Sequence, residues 1–422
     1  MKSNNISAVI VCSILLLTGR SVYAQGAPKS LTEYLSAAMR SNPLLASAAQ
    51  DRVSAEYSGR SIREAYRPQI GITSHLIVAP GYDPAITNGG ELGAQLTASY
   101  TLYDGGTSSL EIERGDLGTT RGKLGEARLR ADVVYSVSTA YVDAVRQKRE
   151  LGVIRNEYDL LSDYLVLVKQ LHAAGQGSET DVLKTTVDLN NVAVDMSTRR
   201  VAYASALLSL AQVCGLPSSE VTDVDTSVVS VSYDSVFNAR QNVDLASLDL
   251  AQKDAELQAR IAGSRLGPTV SVGADAGALT SLPNLQQGLA NVFGASVMVS
   301  VSMPVFTLGS LEDNYNAAQA AEKSVSLRNR YSRDEVSSEF IKTRNAIAQA
   351  DSQITALKSN LDIADENLLL TKSRYAGGSG LSLEVLDAIR SVNQIRLSIE
   401  EARASRAMSE LKLNRLNYNG AD

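Results

Sequence analysis

Residues 172–183 read HAAGQGSETDVL, and residues 375–386 read YAGGSGLSLEVL. The two stretches lie 203 positions apart and share one pattern: the end of a helix, a glycine-rich break, then a polar turn that opens a second helix. They are part of a longer repetition. NPLLASAAQDRVSAEYSGR (42–60) aligns with NVDLASLDLAQKDAELQAR (242–260), so that Asn42, Leu45, Ala46, Ser47, Ala55, Glu56 and Arg60 recur as Asn242, Leu245, Ala246, Ser247, Ala255, Glu256 and Arg260. Pro68 recurs as Pro268. Leu151, Ile154, Tyr158, Leu161, Leu165 and Val168 form a heptad-like seam. It is echoed by Ile354, Leu357, Leu361, Ala364, Leu368 and Thr371.

This pattern predicts two tandem copies of one unit, residues 25–215 and 236–422, joined by a polar, β-branched linker over 216–235. The first copy opens with a helix from the capping box Ser30-Leu31-Thr32-Glu33 to about Tyr66, where Pro68 stops it. The period then changes from helical to two. In 69–78, Ile70, Ile72, Leu76 and Val78 share one face with Ser74; in 94–103, Leu96, Ala98, Tyr100 and Leu102 share one. The hairpin 69–103 has its counterpart in 268–305, where Val270, Val272, Val297, Val299 and Val301 alternate with small polar residues around a loop over 278–293. A long helix follows each hairpin. The first, from about Ser108 to Leu171, would be on the order of 95 Å long. The repeated stretch is then a joint, from which helices run over about 179–213 and 382–416. Gly115, Gly118, Gly122 and Gly125 form a stripe with two readings: a poorly helical start, or a seam where another helix comes close.

Bulk properties set limits. The 422 residues include no Trp and only 4 Phe, which suits thin helix-on-helix packing. A net charge of −6 offers no basic face for nucleic acid. Residues 1–24 read as a secretory signal: Lys2, an apolar run over 6–17, and Val22-Tyr23-Ala24 as a cleavage site. An N-terminal anchor is the competing reading, but the run is short for a span. Without that segment one cysteine remains, Cys214, and it is expected to be buried in helix packing. No later segment is apolar enough to cross a membrane as a helix, so any crossing would use strands. Four strands of about ten residues have the length for it. A four-stranded sheet has two open edges, however, which lipid does not tolerate. Several chains would have to donate strands to one barrel; two chains leave little room inside, and three give an aqueous bore.

REAYRPQIGIT (63–73), YTLYDGG (100–106), MPVFTLG (303–309) and above all YAGGSGLSLEVLDA (375–388) resemble the TolC-like outer-membrane efflux protein family over nearly the whole chain. The resemblance implies a membrane α+β fold: a homotrimer with a shared 12-stranded outer-membrane barrel, four strands per chain, continuous with a coiled-coil tunnel in the periplasm. It implies a passive exit channel, for drug efflux or type I protein secretion. A periplasmic adaptor and an inner-membrane transporter of the RND or ABC type would feed it. By position in the family pattern, Glu384 and Asp387 match carboxylates that ring the periplasmic entrance, and Asp181 and Tyr375 match residues that link neighbouring helices. The pattern also has an Arg at the place of Gly380, bonded to the aspartate matching Asp181; this chain lacks it, and Arg374 and Lys372 are the candidates to replace it. Independently, a ring of carboxylates would favour cations. A bland alternative is that acids simply suit a helix N-terminus.

No catalytic constellation is present. His75 and His172 have no His or Cys at metal spacing, no Gly-Lys-Ser/Thr occurs, and AGGSG lacks the nucleophile-elbow spacing. No enzyme, metal or cofactor is expected. The competing function is a structural or adhesive coiled-coil surface protein with a barrel anchor. A soluble periplasmic scaffold would leave the strand alternation unexplained.

Overall fold

The computed structural model describes residues 28–83, 89–227, 236–237, 242–282 and 292–418. The expected signal segment and residues 228–235 of the expected linker lie outside them.

The chain begins with α1 (Leu31–Ser41) and α2 (Pro43–Ala65). The expected capping box forms at the start: the Glu33 carboxylate accepts from the Ser30 N–H (2.7 Å) and hydroxyl (2.9 Å). The single helix expected to reach Tyr66 is instead broken at Asn42. Pro43 cannot donate to the preceding turn but fits the first position of a new helix, and the Asn42 side chain caps that helix by accepting from Leu44 N–H (2.8 Å).

Strands β1 (Gln69–Val78) and β2 (Gly90–Tyr103) follow, then α3 (Thr107–Ala173) and α4 (Glu179–Cys214). After a short 3₁₀ turn (Ser218–Glu220) the succession recurs as α5 (Val243–Ser264), β3 (Thr269–Ser281), β4 (Phe293–Ser302), α6 (Ser310–Ala376) and α7 (Ser382–Leu416). α3 and α6 have 67 residues each, and α4 and α7 have 36 and 35.

Asn42 also splices the wall. Its amide donates to the Val213 carbonyl (2.8 Å) at the end of α4, so α4 and α2 stack end to end alongside α3. Asn242 does the same in the second half: it caps α5 through Leu245 N–H (2.8 Å) and donates to the Leu416 carbonyl at the end of α7. A 67-residue helix of about 100 Å is thereby covered by two shorter ones, each held at a capped break.

The strands form one antiparallel sheet in the order β1-β2-β3-β4, leaving β1 and β4 as its edges. Register decides what its faces are. Ile72 stands opposite Leu96, Leu96 opposite Ala276, and Ala276 opposite Ala295. The next rows run Ile70, Ala98, Ala274, Val297 and then Tyr100, Val272, Val299. The other face carries Gly71, Thr97, Asp275 and Ser296 in one row. The sheet is therefore largely apolar on one side, with Ser74 and Thr280 as exceptions, and mostly polar on the other. Ile72 is 81% exposed and Val297 76% in the single chain. Both β2 and β3 are longer than their sequence pattern shows. The expected loop 278–293 is partly strand, because pairing with β2 extends β3 as far as Ser281 opposite Glu91. Ala274, Ala276, Gly277 and Ala278 have little strand preference of their own.

The largest core lies where α1, α3 and α4 meet: Tyr34, Ala38, Val137, Tyr141, Leu210 and Cys214. Residues 221–225 strap across it. Tyr34 and Tyr141 donate to the carbonyls of Asp223 (2.9 Å) and Asp225 (2.7 Å). Burial pushes the Cys214 thiol up to about 11, so it is an inert packing group. The glycine stripe divides. A side-chain carbon at Gly122 would meet the Ala55 methyl at 2.7 Å, and one at Gly115 would meet Ile62 at 3.3 Å. Gly118 and Gly125 face open space. The close-approach reading holds for the two glycines that face α2.

Candidate functional site

The two joints are superposable in their hydrogen bonds. At the first, Gly175 takes φ +74, Gly175 N–H bonds to the His172 carbonyl (2.9 Å), and Gln176 N–H bonds to the Leu171 carbonyl (2.9 Å). At the second, Gly378 takes φ +75, Gly378 N–H bonds to the Tyr375 carbonyl (3.0 Å), and Ser379 N–H bonds to the Arg374 carbonyl (2.9 Å). This is a helix ending through a left-handed glycine, written twice. The glycine two places on is also closely packed. A side-chain carbon at Gly177 would come within 3.1 Å of the His172 nitrogen, and one at Gly380 within 2.9 Å of the Tyr375 nitrogen. An Arg at Gly380 would therefore force the backbone to move.

The four sequence-selected residues gather here. Tyr375 is buried in the last turn of α6, and its hydroxyl donates to the Asp181 carboxylate (3.3 Å) in the first turn of α4. This bond ties one hairpin of helices to the other. Burial, and then the Asp181 charge, push the Tyr375 hydroxyl above its ordinary pKa, so it stays a donor. Tyr164 of α3 lies beside it, ring centres 5.6 Å apart, and donates to the Ser382 hydroxyl (2.9 Å). Glu384 occupies the first turn of α7, with its carboxylate 3.5 Å from Leu381 N–H and 3.9 Å from the Arg374 guanidinium. Arg374 thus reaches Glu384 rather than Asp181. Asp387 is exposed one turn on and accepts from Arg390 (3.1 Å), whose other nitrogen donates to Asp188 of α4 (2.7 Å).

Sequence reasoning did not find Tyr164, Ser382, Asp188 or Arg390. Only Arg390 left a local trace, as the i+3 partner of Asp387. The others act across more than 200 positions. His75 lies far from the joint, on the polar sheet face, and shares a hydrogen bond with Glu91 (2.9 Å). Among the described residues, no group of side chains could hold a metal, and no helix is long and apolar enough to cross a membrane.

A sheet with one largely apolar face, continuous with paired helices that end at acidic, hydrogen-bonded joints, defines a strand-anchored helical channel wall. The pattern of the outer membrane efflux protein family matches residues 34–216 and again 239–417, and the chain belongs to that family. It is 21% identical over 397 residues to the outer membrane protein TolC of Vibrio cholerae serotype O1, covering 91% of this chain and 90% of the relative. It is 23% identical over 340 residues to nodulation protein T of Rhizobium leguminosarum bv. trifolii, covering 77% and 69%. Among solved structures, the outer membrane protein VceC of Vibrio cholerae superposes with a TM-score of 0.83 at 16% identity, covering 93% of this chain and 97% of that one. The CmeC outer membrane channel of Campylobacter jejuni superposes with a TM-score of 0.81 at 13% identity, covering 93% and 87%. The protein is accordingly an outer-membrane efflux channel component with its helical part in the periplasm. Its family consists of channels rather than enzymes.

Proposed function

We propose that three copies of this chain form a passive exit duct: a shared twelve-stranded barrel above, and a helical tunnel closing at the repeated joints below. The observation that carries this is the sheet, whose apolar rows run in register over four strands while both edges stay unpaired. In lipid those edges need partners, and β1 of one copy against β4 of the next supplies them. α6 offers further support. Leu327, Tyr331, Ile341, Ile363 and Leu370 are exposed along one face, away from the sides that pack on α5 and α7, where a neighbouring copy would bury them.

In the trimer, Glu384 and Asp387 ring the entrance and favour cations, while the Tyr375–Asp181 bond holds the hairpins together in the closed form. Substrates arrive from an inner-membrane RND or ABC transporter through a periplasmic adaptor, as drugs or as secreted protein. The two halves derive from one duplicated unit, in keeping with their matching splices and joints. Analytical ultracentrifugation of detergent-extracted protein tests the assembly. Three chains per particle are expected; a monomer would contradict the shared barrel.

A further inference from the structure

α3 packs against both α4 and α7, which touch each other little. Between them, over α3, lies a cleft of about 690 Å³. Its walls carry three carboxylates, Glu157, Asp188 and Asp195, and two guanidiniums, Arg199 and Arg390. Both guanidiniums are already paired, one of them with a carboxylate of the cleft itself. Arg199 binds Glu150, and Arg390 is shared between Asp188 and Asp387. Glu157 is buried and has no ion-pair partner among the described residues.

Asn393 sets the chemistry. Asn393 is 2% exposed, and its amide donates to the Ile389 carbonyl (3.0 Å). With the amide nitrogen so bonded, Oδ1 is left as a buried acceptor with no donor. Gln147, also on the cleft wall, presents a second such acceptor through Oε1. Buried polar atoms normally have partners, so two orphaned acceptors beside an unpaired carboxylate mark a place where donors and positive charge are missing. The rest of the wall is apolar: Ile154, Leu161, Val192, Leu386 and Leu397.

We propose that this cleft binds a small organic cation, a primary ammonium group on an apolar body. The ammonium has three donors. One meets Glu157, one Asn393 Oδ1, and one the Asp195 side of the cleft. The apolar body lies against the leucines and Ile154. A bare hard cation would want six or more oxygens, which this half-apolar wall does not supply. An anion would face Glu157 and Asp195 with both guanidiniums already taken. Water could serve Asn393 but would bring Glu157 no counter-charge. The occupant would bridge α4 and α7, the helices that leave the two joints. The site is built from one chain's own side chains and does not depend on the channel reading.

The test is isothermal titration calorimetry of the purified full-length protein in detergent with 2-phenylethylammonium, with neutral 2-phenylethanol as its control. One site per chain is expected for the amine, and none for the alcohol. Glu157→Gln keeps the shape and removes the charge, and should weaken binding about tenfold or more. Asn393→Leu should weaken it too. Circular dichroism and particle size would show that both variants are folded; if one is not, Asp195→Asn serves, with a smaller loss expected. No binding to the wild type would overturn the proposal and leave a water-filled cleft. Equal binding of amine and alcohol, or of wild type and a folded Glu157→Gln, would overturn it as well.

Discussion

α3 and α6 have the same length, follow the same kind of hairpin and end in the same joint, yet they are buried differently. α3 buries 17 residues and α6 seven. Their seams correspond in position but not in depth: Ile154, Leu161, Leu165 and Val168 are buried on α3, while Ile354, Leu357, Leu361, Ala364 and Leu368 are only half-buried on α6. The second face differs more. That of α3 is covered within the chain by α7, through cores such as Val142 with Ala404, Ala407 and Leu411. That of α6 is left open and apolar. Two like successions of elements in one chain thus leave one side of the wall finished and the other open.

The largest effect should come from placing a charge in the finished seam. Leu161→Asp buries a carboxylate with no cation and should destabilise the chain by at least about 3 kcal/mol. The equivalent Ala364→Asp, on the half-buried seam, should cost much less. Folded yield on a native gel separates them, and equal losses would break the comparison. Next, Ile363→Asp with Leu370→Asp should leave helix content unchanged and lower the trimer fraction. A trimer that is fully retained would show that α6 meets its neighbour by another face.

Smaller effects of opposite sign are expected in the glycine stripe. Gly122→Ala meets Ala55 and should lower the melting temperature. Gly118→Ala gains about 1 kcal/mol of helix preference in open space and should raise it. A loss at Gly118 as well would place a neighbouring copy there. The smallest effect is at the joint. Tyr375→Phe removes one hydrogen bond to Asp181, about 1 kcal/mol per chain, and should raise the open probability without changing the trimer.

Much of this was legible because it is local. Helix periods, glycine breaks and the alternation in 69–78 give both joints, both seams and β1 to within a residue or two. The break at Asn42 was hidden because Pro43 reads as a stop and is here a start. The last turns of β3 were hidden because Ala and Gly carry no period, and only pairing with β2 makes them strand. At the joint, Glu384, Asp387, Asp181 and Tyr375 came from a family pattern. The Tyr164–Ser382 and Arg390–Asp188 bonds join positions that no window of sequence contains. Gly380 shows the converse: its missing side chain was visible at once, but only the 2.9 Å approach to the Tyr375 nitrogen shows why none fits.

The central claim is a pore whose narrowest point is the repeated joint. Single-channel conductance in a planar bilayer tests it directly, with the purified mature protein beside the Glu384→Ala, Asp387→Ala variant. The account predicts discrete, cation-selective steps from the wild type and a clear loss of cation selectivity in the variant. Steps with the same selectivity in both would contradict a constriction at these carboxylates, and inserted protein that never conducts would contradict the pore.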